Sequence, residues 1–127
     1  LTKALAPADD DNIAASQTNV LLTQQVSTLF ANDTRMIRAG SLIGFSTRLT
    51  APISAGTLTV EVTLNGAGTG FLLVHTSVLN ASGGEATQAA GLDPFVAGDR
   101  VGFRLTTDGL FAPITTDLET WLEIDTD

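Results

Sequence analysis

The side chains that could do chemistry in this chain are few and far apart. His75 is the only histidine. A catalytic base needs an orienting acid and a nearby nucleophile, and a multi-histidine metal site needs more than one ring. On a strand running from Phe71 it shares a face with Phe71, Leu73 and Ser77, so it is expected as an imidazole on a sheet surface or at a core edge. The run Asp9-Asp10-Asp11-Asn12 could face a hard cation. It lacks the alternating acids, the glycine and the distal glutamate of a calcium loop, and consecutive aspartates repel one another, so solvation is expected. Glycoside hydrolysis requires two opposed carboxyl groups with one held protonated. Only four glutamates are present. Glu61 falls on the wet face of its strand, Glu119 and Glu123 flank Trp121, and nothing sets one of them apart. Asn65-Gly66-Ala67-Gly68-Thr69-Gly70 has the glycines of a phosphate cradle, yet no lysine follows and no helix opens after it, so it reads as a hairpin turn. Cysteine is absent, which removes thiolate nucleophiles, disulfides and cysteine-based metal sites together. No catalytic, cofactor or metal residue is assigned, and no enzyme activity is expected.

Trp121 carries the most information of any single residue. Glu119 and Glu123 share its face at period two, while Leu118, Leu122 and Ile124 take the other. An indole on a charged face is expected to be covered by the N-terminal segment or buried against another chain, because tryptophan offers large area with one polar handle. A bulge that inverts the faces is the competing reading. Trp121, Glu119, Glu123, Pro7 and Asp9 are therefore the candidate interface residues.

The elements that must position these groups are strands. Threonine is the commonest residue, and 12 glycines punctuate a chain whose apolar positions are mostly Val, Ile, Leu and Phe. Leu58, Val60, Val62 and Leu64 alternate with Thr57, Thr59, Glu61 and Thr63, which predicts a half-buried strand. With 71–78 it makes a hairpin across a turn at 65–70, and Phe71-Leu72-Leu73-Val74, apolar on both faces, is expected inside a sheet. Val101, Phe103 and Leu105 predict a second alternating strand, launched by Ala97-Gly98-Asp99. Leu118 to Ile124 predicts a third, and Ile43, Phe45, Thr47 and Leu49 a fourth. Weaker candidates lie at 18–23, 26–30, 34–38 and 85–90. No long segment carries a helical apolar face. Seven or eight short strands with turns between them predict an all-β antiparallel sandwich, jelly-roll-like. Residues 1–17 lack periodicity and are expected as an extended, exposed N-terminal arm, leaving 18–127 as the sandwich domain.

Charge and composition exclude further classes. The 127 residues carry 14 acidic and six basic side chains, a formal charge of -8, so phosphate contacts from clustered bases are not expected and nucleic acid is excluded as a partner. A hydrophobic fraction of 43% separates the chain from disordered acidic tails. No apolar run nears the roughly 18–20 residues that a membrane span requires, and insertion into a membrane is not expected.

Three stretches carry a resemblance. Arg38-Ala39-Gly40-Ser41-Leu42-Ile43-Gly44-Phe45, then Ala55-Gly56-Thr57-Leu58-Thr59-Val60-Glu61-Val62-Thr63-Leu64-Asn65-Gly66, then Ala97-Gly98-Asp99-Arg100-Val101-Gly102-Phe103-Arg104-Leu105 together resemble the small β-sandwich modules of tailed-phage virions. Those modules serve as capsid decoration proteins, head fibres and tail-fibre knobs. The Ala-Gly-Asp turn before a strand also resembles trimeric C1q/TNF-like jelly rolls. The likeness covers about residues 35–125, and its motifs are structural. It implies a virion protein that forms a homotrimer and assembles with the major capsid protein or another virion protein. Capsid decoration is the first expectation, and a receptor- or glycan-binding knob at the end of a fibre is the alternative. The resemblance supplies no active-site residue and no cofactor.

Overall fold

A computed structural model of the chain describes residues 2–5, 8–24, 27–31 and 33–126; the side chains of 2–5, 8–9, 23–24 and 27–31 are outside that description. Its strands are β1 (Thr2–Leu5), β2 (Ala8–Asp10), β3 (Val20–Leu21), β4 (Thr23–Gln24), β5 (Ser27–Ala31), β6 (Thr34–Arg35), β7 (Gly40–Leu49), β8 (Leu58–Leu64), β9 (Ala67–His75), β10 (Gly83–Thr87), β11 (Pro94–Phe95), β12 (Arg100–Thr107) and β13 (Leu118–Thr126). They form two antiparallel sheets. The larger runs β10-β7-β13-β2-β4-β5, with β1 also on β13 and β11 on β7; the smaller runs β3-β12-β8-β9, with β6 on β12. The chain is an all-β, jelly-roll-like sandwich.

Period-two patterning builds the core between the sheets. Leu42, Phe45 and Leu49 of β7 and Leu118, Leu122 and Ile124 of β13 face Leu58, Val60 and Val62 of β8 and Val101, Phe103 and Leu105 of β12, all buried. Phe45 ties the two layers together. Its ring meets Phe71 edge-on at 4.9 Å between centroids and Phe103 at 5.6 Å. Such pairs add stabilisation beyond the area they bury.

Strand β7 departs from strict alternation. Glu123 pairs with Gly44 but Ile124 with Leu42, so Ile43 is the extra residue of a bulge. The expectation that Ile43 shares the face of Phe45 is thereby corrected: Leu42 takes the inward position and Ile43 is only partly buried. The hairpin is tighter than the expected 65–70 turn. Leu64 pairs with Ala67 around Asn65 and Gly66, whose φ values of 53° and 83° match a two-residue turn of the twist that hairpins favour. Gly68 and Gly70 lie in β9 instead, opposite a register shift between Glu61 and Thr63. Strand β9 is the edge of the smaller sheet, not its interior, and Leu72 is 42% exposed on it. Two of the resembling motifs meet here: the Asn65 amide donates to Asp99 Oδ1 at 3.2 Å while its Oδ1 accepts from the Arg100 N–H at 2.9 Å.

The N-terminal segment is extended, as expected, but its described parts lie on the sandwich. Thr2–Leu5 pairs with Leu122–Asp125, and Asp9 and Asp10 pair with Glu119 and Leu118. An uncovered β13 would present a row of unpaired backbone groups, and Thr2–Leu5 with Asp9 and Asp10 pair along it whatever their side-chain pattern. Farther on, Ile13 is fully buried, its N–H donating to the Thr116 carbonyl at 3.0 Å.

Candidate functional site

The outward face of the larger sheet gathers the residues that sequence alone placed around Trp121. Strand β13 sends Leu118, Thr120, Leu122 and Ile124 inward, so Glu119, Trp121 and Glu123 point out and the face assignment of the indole stands. The bulge lies in the neighbouring β7, not in β13. Two cross-strand rows result. Trp121, Ser46 and Glu85 are aligned on β13, β7 and β10, and beside them Glu123, Gly44 and Thr87. Gly44 and Ser46 are small, so the rows enclose a shallow groove between Trp121 and the β10 edge. Gly44 leaves room for Glu123 to lean across it: a Cβ built at 44 would stand 3.7 Å from Glu123 Oε1.

The indole is held in place. Its N–H donates to Glu119 Oε1 at 3.1 Å, which leaves the ring 45% exposed with its polar handle already used. Glu85 and Glu123 are exposed and make no ion pair among the described residues. On the far side of β13 the backbone of Asp9 pairs with Glu119. Pro7 lies outside the described residues. The groove has an apolar plane, two unpaired carboxylates and the Ser46 and Thr87 hydroxyls. Such a surface is suited to binding, and among the described residues no nucleophile sits beside a poised acid on it.

The other candidates resolve into structural parts. Glu61 is clamped on the outer face of the smaller sheet: Oε1 accepts from Arg104 at 2.7 Å and Oε2 from the Gly70 N–H at 2.8 Å. Asn12 N–H donates to Asp117 Oδ1 at 2.8 Å, which draws the end of the acidic run back onto the domain. Among the described residues no three His, Asp or Glu side chains converge to hold a metal ion.

His75 is fully buried, deeper than a surface or core-edge position. Its Nδ1–H donates to the Asn80 carbonyl at 2.8 Å, so Nε2 carries the lone pair and accepts from the Thr47 hydroxyl at 3.2 Å. Thr47 Oγ1 in turn accepts the Gly84 N–H at 3.0 Å. The ring thus latches β9 of one sheet to β7 and β10 of the other. Burial holds its pKa below the ordinary 6.5, against a smaller upward pull from the Asn80 carbonyl. The folded state therefore keeps the ring neutral while the unfolded chain takes up a proton near pH 6.5. Stability contributed here is complete above that value and is lost as pH falls toward the folded pKa. Between pH 7.5 and 5.5 the melting temperature should fall, and His75→Gln should flatten that slope. Equal slopes in the two proteins would remove His75 as its cause.

Glu85, Gly44 and Ser46 were not legible as site residues. Their proximity to Trp121 comes from pairing between strands distant in sequence, which no local pattern reports.

No protein-family model matches the chain, and no curated protein matches it in sequence. Solved structures share its fold. The acidic stable capsid structure of Helicobacter pylori bacteriophage KHP30 contains a chain similar at a TM-score of 0.55 and 10% identity, over 98% of this chain and 93% of that one. The capsid asymmetric unit of cyanophage Pam1 contains another, at 0.56 and 12%, over 99% and 85%. Identities this low show a shared fold and nothing finer. Pika GITRL is similar at a TM-score of only 0.38 and 16% identity, over 94% of this chain and 96% of that one, too slight a likeness to build on.

Proposed function

We propose that this chain is a non-enzymatic structural protein of a virion: a capsid decoration or cement protein of a tailed phage, acting as a homotrimer on the shell and seated on the major capsid protein. One observation carries the reading. The fold is shared, along at least 85% of both partners, with chains from two phage capsids, so those chains are themselves not much longer than this one. The groove chemistry agrees with it, because an exposed indole in a charge-bearing face is what a subunit or partner contact uses as an anchor. Trp121, Glu119, Glu123, Asp9 and Pro7 remain the proposed contact residues.

A second reading, a receptor- or glycan-binding knob of a fibre, is favoured by the same groove. An indole plane beside carboxylates and hydroxyls suits the apolar face and hydroxyl rim of a sugar ring. Quenching of the single tryptophan's fluorescence by host-surface glycans would support the knob; silence across such a panel would leave decoration.

Attachment through the N-terminal arm is part of the proposal. Its test must spare Ile13, which belongs to the core, and β2, which joins β4 to β13. Deleting residues 2–7 should leave the sandwich folded, with far-ultraviolet circular dichroism of the same shape, and abolish binding to undecorated capsids. Undiminished binding by the truncated chain would sink arm attachment while leaving the fold assignment untouched.

A further inference from the structure

We infer that the acidic Trp121 groove of one subunit receives the Arg35–Arg38 corner of a second copy of the same chain. The inference rests on the reading of the protein as a homo-oligomer and names the two surfaces that meet.

The groove calls for a cationic occupant. Glu119 and Glu123 flank an exposed indole on its own strand, Glu85 lines the opposite side of the groove, and Arg48, opposite Glu119, is the one base among the described side chains of this face. A two-fold axis through the face would set these carboxylates against themselves, and like charges at close range weigh heavily against an interface. The face must therefore meet a different surface. An indole plane beside the carboxylates of Glu85 and Glu123 is complementary to a guanidinium, which can stack on the ring and bond to the acids at once.

The chain presents such a surface at one end of the sandwich. Arg35 and Arg38 are exposed and make no ion pair among the described residues, with Ile37 between them 84% exposed. Two acids near this corner are otherwise engaged. Asp33 pairs with Arg100 at 3.0 Å, and Asp99 accepts from the Val96 N–H at 2.9 Å and from Asn65. In a chain of net charge -8, two unpaired arginines flanking an exposed isoleucine form an unusual corner. It carries the opposite charge to the groove, and Ile37 can cover the indole edge. Because the two surfaces differ, copies can continue around a ring, and closure at three gives the proposed trimer.

The test is a charge exchange on the full chain, read by sedimentation equilibrium over a concentration series. Glu123→Arg alone should set arginine against arginine, and Arg38→Glu alone acid against acid, each raising the dissociation constant about tenfold or more. The double variant Glu123→Arg/Arg38→Glu should recover the affinity to within about threefold, a coupling that only groups in contact show. Both positions are exposed, so unchanged melting temperatures serve as the folding control. A wild-type oligomer indifferent to both single exchanges, or a double variant as weak as the singles, would overturn this contact and leave the homo-oligomer standing. A wild-type chain that stays monomeric at high concentration would overturn both.

Discussion

Phe45→Ala is expected to lower the folding free energy by about 3–5 kcal/mol, the usual cost of emptying a large aromatic site in a close-packed core. For a domain whose total stability is on the order of 5–15 kcal/mol, that is a large share. The position is special because Phe45 is the ring common to both aromatic pairs, touching Phe71 of β9 and Phe103 of β12 from the opposite sheet. Truncating it removes inter-sheet contact on two strands at once, and neither neighbour can fill the space without leaving its own partners. Phe103→Ala should cost a similar amount, since that ring is 2% exposed. Urea unfolding of the two variants gives the comparison directly. A loss under about 1 kcal/mol at Phe45 would mean that the sheets are not held together through this cluster.

Gly83→Ala is expected to be strongly damaging for so small a substitution. Gly83 has φ of +135°, a backbone region open essentially to glycine alone, and strain there costs roughly 1–3 kcal/mol. Space is also lacking: a Cβ would run into the Thr47 carbonyl oxygen and stand 3.0 Å from the Arg48 Cα. The damage would reach the His75 latch, because Gly84 donates to the Thr47 hydroxyl that bonds the imidazole. Gly66→Ala supplies the contrast, with φ of +83° but open space around the missing side chain. Gly83→Ala should lower the melting temperature clearly more than Gly66→Ala. The reverse order would show that crowding against β7 does not limit this corner.

The elements that could be read from sequence are those whose environment is uniform along their length. Strands β8, β12 and β13 keep one face in the core from end to end, so alternation alone marks Val60, Phe103 and Leu122 as inward. Reading failed where the backbone changes phase. The bulge at Ile43 exchanges the faces of β7 midway, and two apolar residues in succession, Leu42 and Ile43, give no sign of which one turns inward. It failed again where pairing, not side-chain chemistry, decides the structure. Thr2–Leu5 carries little alternation of its own and is placed by the backbone groups of β13. The groove follows the same division. Trp121, Glu119 and Glu123 lie on one strand, and their shared face is a local property. Glu85 joins the same groove only through the pairing of β10 with β7 and of β7 with β13. His75 shows the limit of composition: a lone imidazole was expected at the rim, yet its two ring nitrogens found complementary partners that make full burial tolerable.

The proposed role, a trimeric component of a virion shell, can be checked by cryo-electron microscopy of purified particles that carry the chain. Jelly-roll density is expected on the outer surface of the capsid, three copies around each local axis, with Trp121 at the boundary between neighbouring copies. Density for this fold at the tip of a fibre, or single copies with the Trp121 face open to solvent, would contradict it.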